Sequence, residues 1–587
     1  MKRLAILAML VLALPSLALA LDTSTRPVSP VRAWSADDLA TFDPSWLHVK
    51  FVEGSAVRLE AGQFRSERGL ALADVNALVA GASALRATFA ISPERGAALK
   101  AAGELASGRV GPDLSLWYDV RVEGGRPALA SALNAFNADP IVEIAHPAPL
   151  CEPAVLNDPH PAATLRAEAP LVPTPDFSGM QGYLYDPPTG MDAPAAWAQP
   201  GGRGANMHFI DVELGWTLTH EDFTAANHFF QGGAPIDPGY IDHGTAVLGE
   251  IIGGNNGYGV TGFASDTNWG VEAITVGEWP NVPHRFQDAI DNLSAGDVWL
   301  IELQMYPTGA SATPMEYVQV NYDVIWTGCW SLGVVCIEAG ANGSQDLDSA
   351  FWGGIFDRNV RDSGAIMVGA GTPTGRVAEW FTNYGTRMDV HGWGSSIVST
   401  GYGDLYSSGG ANFYYTSGFS GTSGASPMIT GSSLCLQGIA RASYGVPLTP
   451  SALRDLLHDT GVPHLDASKE IGPRPDLGAA VEALIDLSAV GDDPGDAALR
   501  VTGTPNPFSE STTLRFVQPR AGAARLAIYD AAGRRLRELA LPAGPAGERS
   551  LAWDGRDAAG HAVASGVYLY RLEAADALRS GRLVKLR

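Results

Sequence analysis

The chain has 587 residues, of which 46% are hydrophobic and 17% charged, and a formal net charge of −24 at pH 7. That length is more than one ordinary domain needs, and that composition excludes a chain dominated by disorder. The acidic balance disfavours nucleic acid and anionic membrane as partners.

Lys2 and Arg3 open the chain ahead of an apolar run ending in Ala18-Leu19-Ala20. This is the pattern of a secretory signal peptide over residues 1–20, cut after Ala20. Pro15 and the small-residue site argue against a membrane anchor, and no later segment is long and apolar enough to span a bilayer. The sequence therefore predicts a secreted, soluble protein, extracellular or attached to a cell surface.

Residues 21–150 read as a small α+β unit. "WLHVKFVEG" and the series Leu114, Leu116, Tyr118, Val120 and Val122 alternate as half-buried strands, and "PIVEIAHPAP" closes the unit with a further strand. Residues 151–180 read as a Pro-rich linker.

From "MHFID" onward, short apolar strands bounded by Gly alternate with helical segments: "DVWLIELQ", "GVVCIEAG", "AIMVGAG". Over residues 181–490 this predicts an α/β domain, a mostly parallel sheet with helices on both faces and chemistry at strand ends. "GDDPGDAA" marks a linker over 491–500. Residues 501–587 carry 13 Lys plus Arg against 8 Asp plus Glu, and their short alternating runs between Gly, Pro and Asp turns predict a separate β-sandwich.

Cys151, Cys329, Cys336 and Cys435 are too few to staple so long a chain, so apolar burial must carry its stability. Four thiols allow three full pairings, of which Cys329–Cys336 is the nearest in sequence and the favoured one.

The stretch "GFSGTSGASPMITG" crowds small residues around Ser423 before an apolar helical run. A serine hydroxyl is a poor nucleophile at neutral pH and needs a base, while a helix start near it favours developing negative charge. His243 in "DHGTAVLGEIIGG" supplies a base whose intrinsic pKa lies near operating pH, and Asp211, after an apolar strand in "MHFIDVELGW", supplies an orienting carboxylate. Asp222 and Asp242 lack a reason to take that role, and His220, His228 and His391 read as structural or exposed.

These stretches resemble the Asp, His and Ser motifs of the subtilisin-like serine peptidases, in that family's chain order. "GTSGASP" is similar to its G-T-S-x-A-S-P motif, and "DHGT" to its His motif. "FTNYGTRMDVHGWG" and "GMDAPAAW" resemble further family segments. Two departures stand out: Asp211-Val212-Glu213 replaces the usual D-[ST]-G, and "LIELQMYP" replaces the S-L-G substrate strand.

The resemblance implies a secreted serine endopeptidase acting on protein or peptide substrates through an acyl-enzyme, with Asp211, His243 and Ser423 as triad. Asn342 in "VVCIEAGANGSQ", with the Ser423 backbone N–H, would hold the oxyanion. No organic cofactor is required. Relatives often bind Ca²⁺ as a structural ion, but no Cys/His/carboxylate cluster has metal spacing and metal ligands stay unassigned.

Glu302 could meet a substrate amine or cation, although such a residue is more often tied into a local hydrogen-bond network. The resemblance also makes residues 21 to about 150 a propeptide whose last strand, "VEIAHPAP", blocks the cleft; the alternative is a permanent structural domain. The tail resembles the Ig-like sorting and hook-capping-type modules of exported bacterial proteins, through "PNPF", "WDGRDAAG" and "SGVYLYRL". It implies secretion machinery or a cell surface as partner of an otherwise monomeric enzyme. The competing reading is an inactive adhesion or display protein on the same scaffold, and the complete trio argues against it.

Overall fold

The computed structural model describes residues 26–154, 173–233, 236–274, 279–307, 309, 311–489, 500–503, 508, 510–518, 520–530, 534–564, 566–574 and 577–585. The signal peptide, most of the expected 151–180 linker and nearly all of the 491–500 linker lie outside the described residues.

The N-terminal unit is an antiparallel sheet of four strands in the order Ala84–Ala87, Trp117–Arg121, Phe42–Phe51, Val142–Pro149. Helix Pro93–Ser107 starts where the Ser92 side chain accepts from Arg95 N at 3.2 Å, with Pro93 at its first position, and ends at Gly108 with φ +69°. One face of the sheet carries Leu47, Val49, Phe51, Tyr118 and Val120, and these form a core with Leu129, Leu133 and Phe136 of helix Gly125–Ala138.

Alternation predicts that the other face meets water, yet His48 and Lys50 are fully buried. That face is covered by helices Val282–Asp291 and Gln319–Trp326 of the following domain. Polar pairing makes the burial tolerable. Arg26 donates to Asp323 at 2.6 Å and to Glu143 at 2.8 Å, Trp117 Nε1 donates to Asp323 at 2.9 Å, and His284 stands 3.1 Å from Asp119.

The central domain is built on a seven-stranded sheet in the order Val390–Trp393, Ile366–Gly371, Val335–Ala339, Val298–Ile301, His208–Glu213, Asn268–Ala273, His228–Gly233, every ladder parallel. Its inner strands are apolar because both faces are covered. On one face lie helices Ile241–Ile252 and Thr422–Tyr444 with Val247, Ile251, Met428 and Leu436; on the other lie Phe286, Val324 and Ile325. The α/β expectation holds.

The C-terminal module pairs a three-stranded sheet (Arg500–Gly503, Thr512–Gln518, Gly547–Trp553) with a four-stranded one (Arg535–Gly544, Gly522–Tyr529, Gly566–Ala574, Ala577–Lys585). Phe508, Phe516, Leu526, Ile528 and Trp553 fill the space between them. Among the described residues no helix is long and apolar enough to cross a membrane. All four cysteines are buried free thiols, so the expected Cys329–Cys336 bridge is not formed.

Candidate active site

Parallel strands deliver their carboxyl ends to one edge of the central sheet, and the candidate residues gather there. Ser423 is the second residue of helix Thr422–Tyr444 and is fully buried. Before it, Gly421 takes φ +107°, where a Cβ would stand 2.8 Å from the Ala154 carbonyl oxygen. His243, third residue of helix Ile241–Ile252, brings Nε2 to 2.8 Å from Ser423 Oγ, with the Phe419 ring edge-on at 5.4 Å.

The carboxylate on His243 is not Asp211. Glu213 Oε2 lies 2.8 Å from His243 Nδ1. Asp211 and Glu213 share one face of strand His208–Glu213, but Glu213 stands two residues, about 6.6 Å, nearer the carboxyl edge. Asp211 sits deeper, where one carboxyl oxygen accepts from Trp216 Nε1 at 2.7 Å and the other has no hydrogen-bond partner among the described residues. Burial, with the nearby Glu213 charge, pushes its pKa well above the usual carboxylate range.

The sequence did contain a signal for this. Glu213-Leu214-Gly215 keeps the Gly of D-[ST]-G in its third place, with Glu for Asp, whereas a frame starting at Asp211 loses it. The closeness needs that glycine and Gly244: a Cβ on Gly244 would stand 2.3 Å from the Gly215 carbonyl oxygen.

Asn342 follows strand Val335–Ala339. Its Oδ1 accepts from Thr422 N and from Thr422 Oγ1, each at 3.0 Å, which fixes the amide and turns Nδ2 toward the Ala154 carbonyl oxygen beside Ser423. The exchanged Gly-Ala order has a structural reason. A Cβ on Gly340 would stand 2.6 Å from the Val368 carbonyl oxygen, so the glycine is spent there and Ala341 takes the left-handed turn at φ +70°.

The group facing this apparatus is a carbonyl of the same chain. Ser423 Oγ lies 2.7 Å from the Ala154 carbonyl oxygen, to which Asn342 Nδ2 also donates. Ala154 N donates to Glu302 O at 3.1 Å, and Cys151–Pro153 pairs antiparallel with Leu303–Met305 in the register Cys151↔Met305, Glu152↔Gln304, Pro153↔Leu303. The expected linker thus begins as a strand in the cleft. Val142–Pro149, expected to block it, is the edge of the N-terminal sheet instead.

Glu302 takes the local reading. Its Oε1 accepts from Ser426 Oγ at 2.6 Å beneath the helix, and burial keeps its pKa well above the usual range. His220 and His391 are tied to the carbonyl oxygens of Tyr414 at 2.9 Å and Gly472 at 2.7 Å. Among the described residues no group of three or more His, Cys, Asp or Glu converges as metal ligands, and calcium stays an expectation of the resemblance.

Residues 221–479 match the Subtilase family and residues 508–577 the FlgD Ig-like domain. The chain carries a subtilase domain. The subtilase match spans His243, Asn342 and Ser423 but begins after the strand that bears Glu213. The chain is 26% identical over 272 residues to an "Intracellular serine protease" of Paenibacillus polymyxa, covering 45% of this chain and 76% of the relative. It is 27% identical over 334 residues to a "Thermophilic serine proteinase" of Bacillus sp. (strain AK1), 56% of this chain and 72% of the relative. It is 27% identical over 229 residues to an "Extracellular protease" of Xanthomonas campestris pv. campestris, covering 37% of this chain and 36% of the relative. Its domain over residues 221–479 is that of a serine-type endopeptidase, with an Ig-like module behind it.

Proposed function

We propose that the chain is an exported, self-inhibited subtilase precursor that hydrolyses peptide bonds through an acyl-enzyme, using Ser423, His243 and Glu213. Neutral His243 carries its proton on Nδ1, where Glu213 accepts it, leaving Nε2 free to take the Ser423 proton. Ser423 Oγ attacks the substrate carbonyl carbon. Asn342 Nδ2 and the Ser423 N–H hold the oxyanion, and the imidazolium, stabilised by Glu213, passes its proton to the leaving amine. Water repeats the sequence on the ester and frees the carboxylate.

The observation that carries this reading is the Ala154 carbonyl, which meets Ser423 Oγ at 2.7 Å and the Asn342 amide while its own strand pairs with Leu303–Met305. A substrate backbone needs those contacts. The first bond cut is then Ala154–Val155, and residues 21–154 form the propeptide, which stays in the cleft as product. Export follows from the signal sequence. The C-terminal module serves sorting or surface attachment of a monomeric enzyme whose substrates are proteins or peptides.

N-terminal sequencing of the purified protein tests this. The parent chain should begin at Val155 and react with a fluorophosphonate, whereas Ser423→Ala should keep its propeptide and stay unlabelled. A Ser423→Ala chain that still begins at Val155 and still reacts with the probe would remove Ser423 from the mechanism.

A further inference from the structure

We infer that this enzyme reads an acidic side chain at the third position before the cut bond, with Tyr306 and Gln304 as the specificity-determining residues. The inference rests on the peptidase reading, in which Cys151–Ala154 lies as a substrate lies. Ala154 precedes the cut bond, so Glu152 occupies the third position.

Directly paired residues of an antiparallel ladder project to the same side, and so do residues two apart on one strand. Glu152 is paired with Gln304, and Tyr306 is two residues beyond Gln304. The three polar ends accordingly meet. Glu152 Oε1 accepts from the Tyr306 hydroxyl and, at 3.1 Å, from Gln304 Nε2, which also donates to Tyr306 Oη at 3.0 Å.

The donors are fixed in direction. Gln304 is buried, and its Oε1 already accepts from Asn342 N at 2.9 Å, so its amide can turn only N–H groups toward the substrate. With Nε2 donating to Tyr306 Oη, the phenol proton is directed outward. Burial and the Glu152 carboxylate raise the Tyr306 pKa, which keeps the phenol a donor at neutral and alkaline pH.

The subsite therefore offers two hydrogen-bond donors. A carboxylate satisfies both and strengthens each by its charge. A glutamine oxygen can accept the same two bonds, as both reach the single Oε1 of Glu152, but without the charge that strengthens them, and a lysine ammonium, having donors alone, leaves the pair unmatched. Because neither Tyr306 nor Gln304 is charged, selection comes from hydrogen bonding, and a glutamate is preferred to its isostere.

The test uses the mature enzyme obtained from the full chain and acetyl-Ala-X-Pro-Ala p-nitroanilides with X as Glu, Gln or Lys. We expect kcat/KM for the Glu peptide to exceed that for Gln by about 10-fold and that for Lys by more. In Tyr306→Phe the Glu-to-Gln ratio should fall to about 3 or less. Equal rates on the three peptides, or a ratio unchanged in Tyr306→Phe, would overturn the subsite while fluorophosphonate labelling of Ser423 leaves the peptidase reading standing. No cleavage of any peptide together with no labelling would overturn both.

Discussion

Glu213→Gln is expected to lower kcat about 10⁴-fold with the fold intact. Glu213 is fully buried, and its Oε2 lies 2.8 Å from His243 Nδ1. When His243 takes the serine proton, it becomes an imidazolium about 4 Å, centre to centre, from the Glu213 charge, an attraction of about 4 kcal/mol at an effective dielectric of about 20. Glutamine removes that attraction. It can also turn its NH₂ to Nδ1, which drives the ring proton to Nε2 and disables the base. Together these amount to about 5 kcal/mol of transition-state stabilisation, or about 10⁴ in rate. Asp211→Asn alters a carboxyl that does not reach His243 and keeps an amide oxygen to accept from Trp216, and activity should stay within about 10-fold of the parent. Steady-state hydrolysis of a peptide anilide, with the fluorophosphonate labelling rate as a second measure, checks both. The reverse order, with Asp211→Asn crippled and Glu213→Gln near normal, would refute the assignment.

Asn342→Ala should lower kcat about 10²- to 10³-fold with little change in KM, as loss of one oxyanion donor does, and steady-state kinetics decide. Ala341→Gly should stabilise the catalytic domain by about 1 kcal/mol, because glycine adopts φ +70° without the clash alanine meets, and a urea melt reads it. Burial, and next the proximity of His48, lower the pKa of His146 to about 3 in the fold, against about 6.5 when unfolded. Its contribution is therefore full above pH 6.5 and is lost as pH falls toward 3, by up to about 1.4 kcal/mol per pH unit. Thermal melts of Ser423→Ala with and without His146→Phe, at pH 7.5 and 5, should show the steeper loss in the chain that keeps the histidine; parallel losses would reject this.

The nucleophile and base were legible because "GTSGASP" and "DHGT" are local: each encodes a helix start whose geometry is set by the residues inside it. The acid was not. Asp211 and Glu213 share a strand face, and what separates them is depth below the sheet edge, which depends on where the neighbouring helix places His243. Lys50 and His48 fit the alternation of a half-exposed strand; Asp119, Glu143 and Glu53 of the same unit pair with them, and only the docking of a second domain makes them core. The strand Cys151–Pro153 escaped notice for the same reason: it is three residues long, ends in proline, and owes its existence to Leu303–Met305 in another domain.

The four unbridged thiols bear on how the molecule meets a reductant. Burial raises the pKa of Cys435 to about 12 and lifts those of Cys151 and Cys336 as well, so none of these three is a ready thiolate. With no bridge to reduce, the enzyme should tolerate dithiothreitol as readily as air.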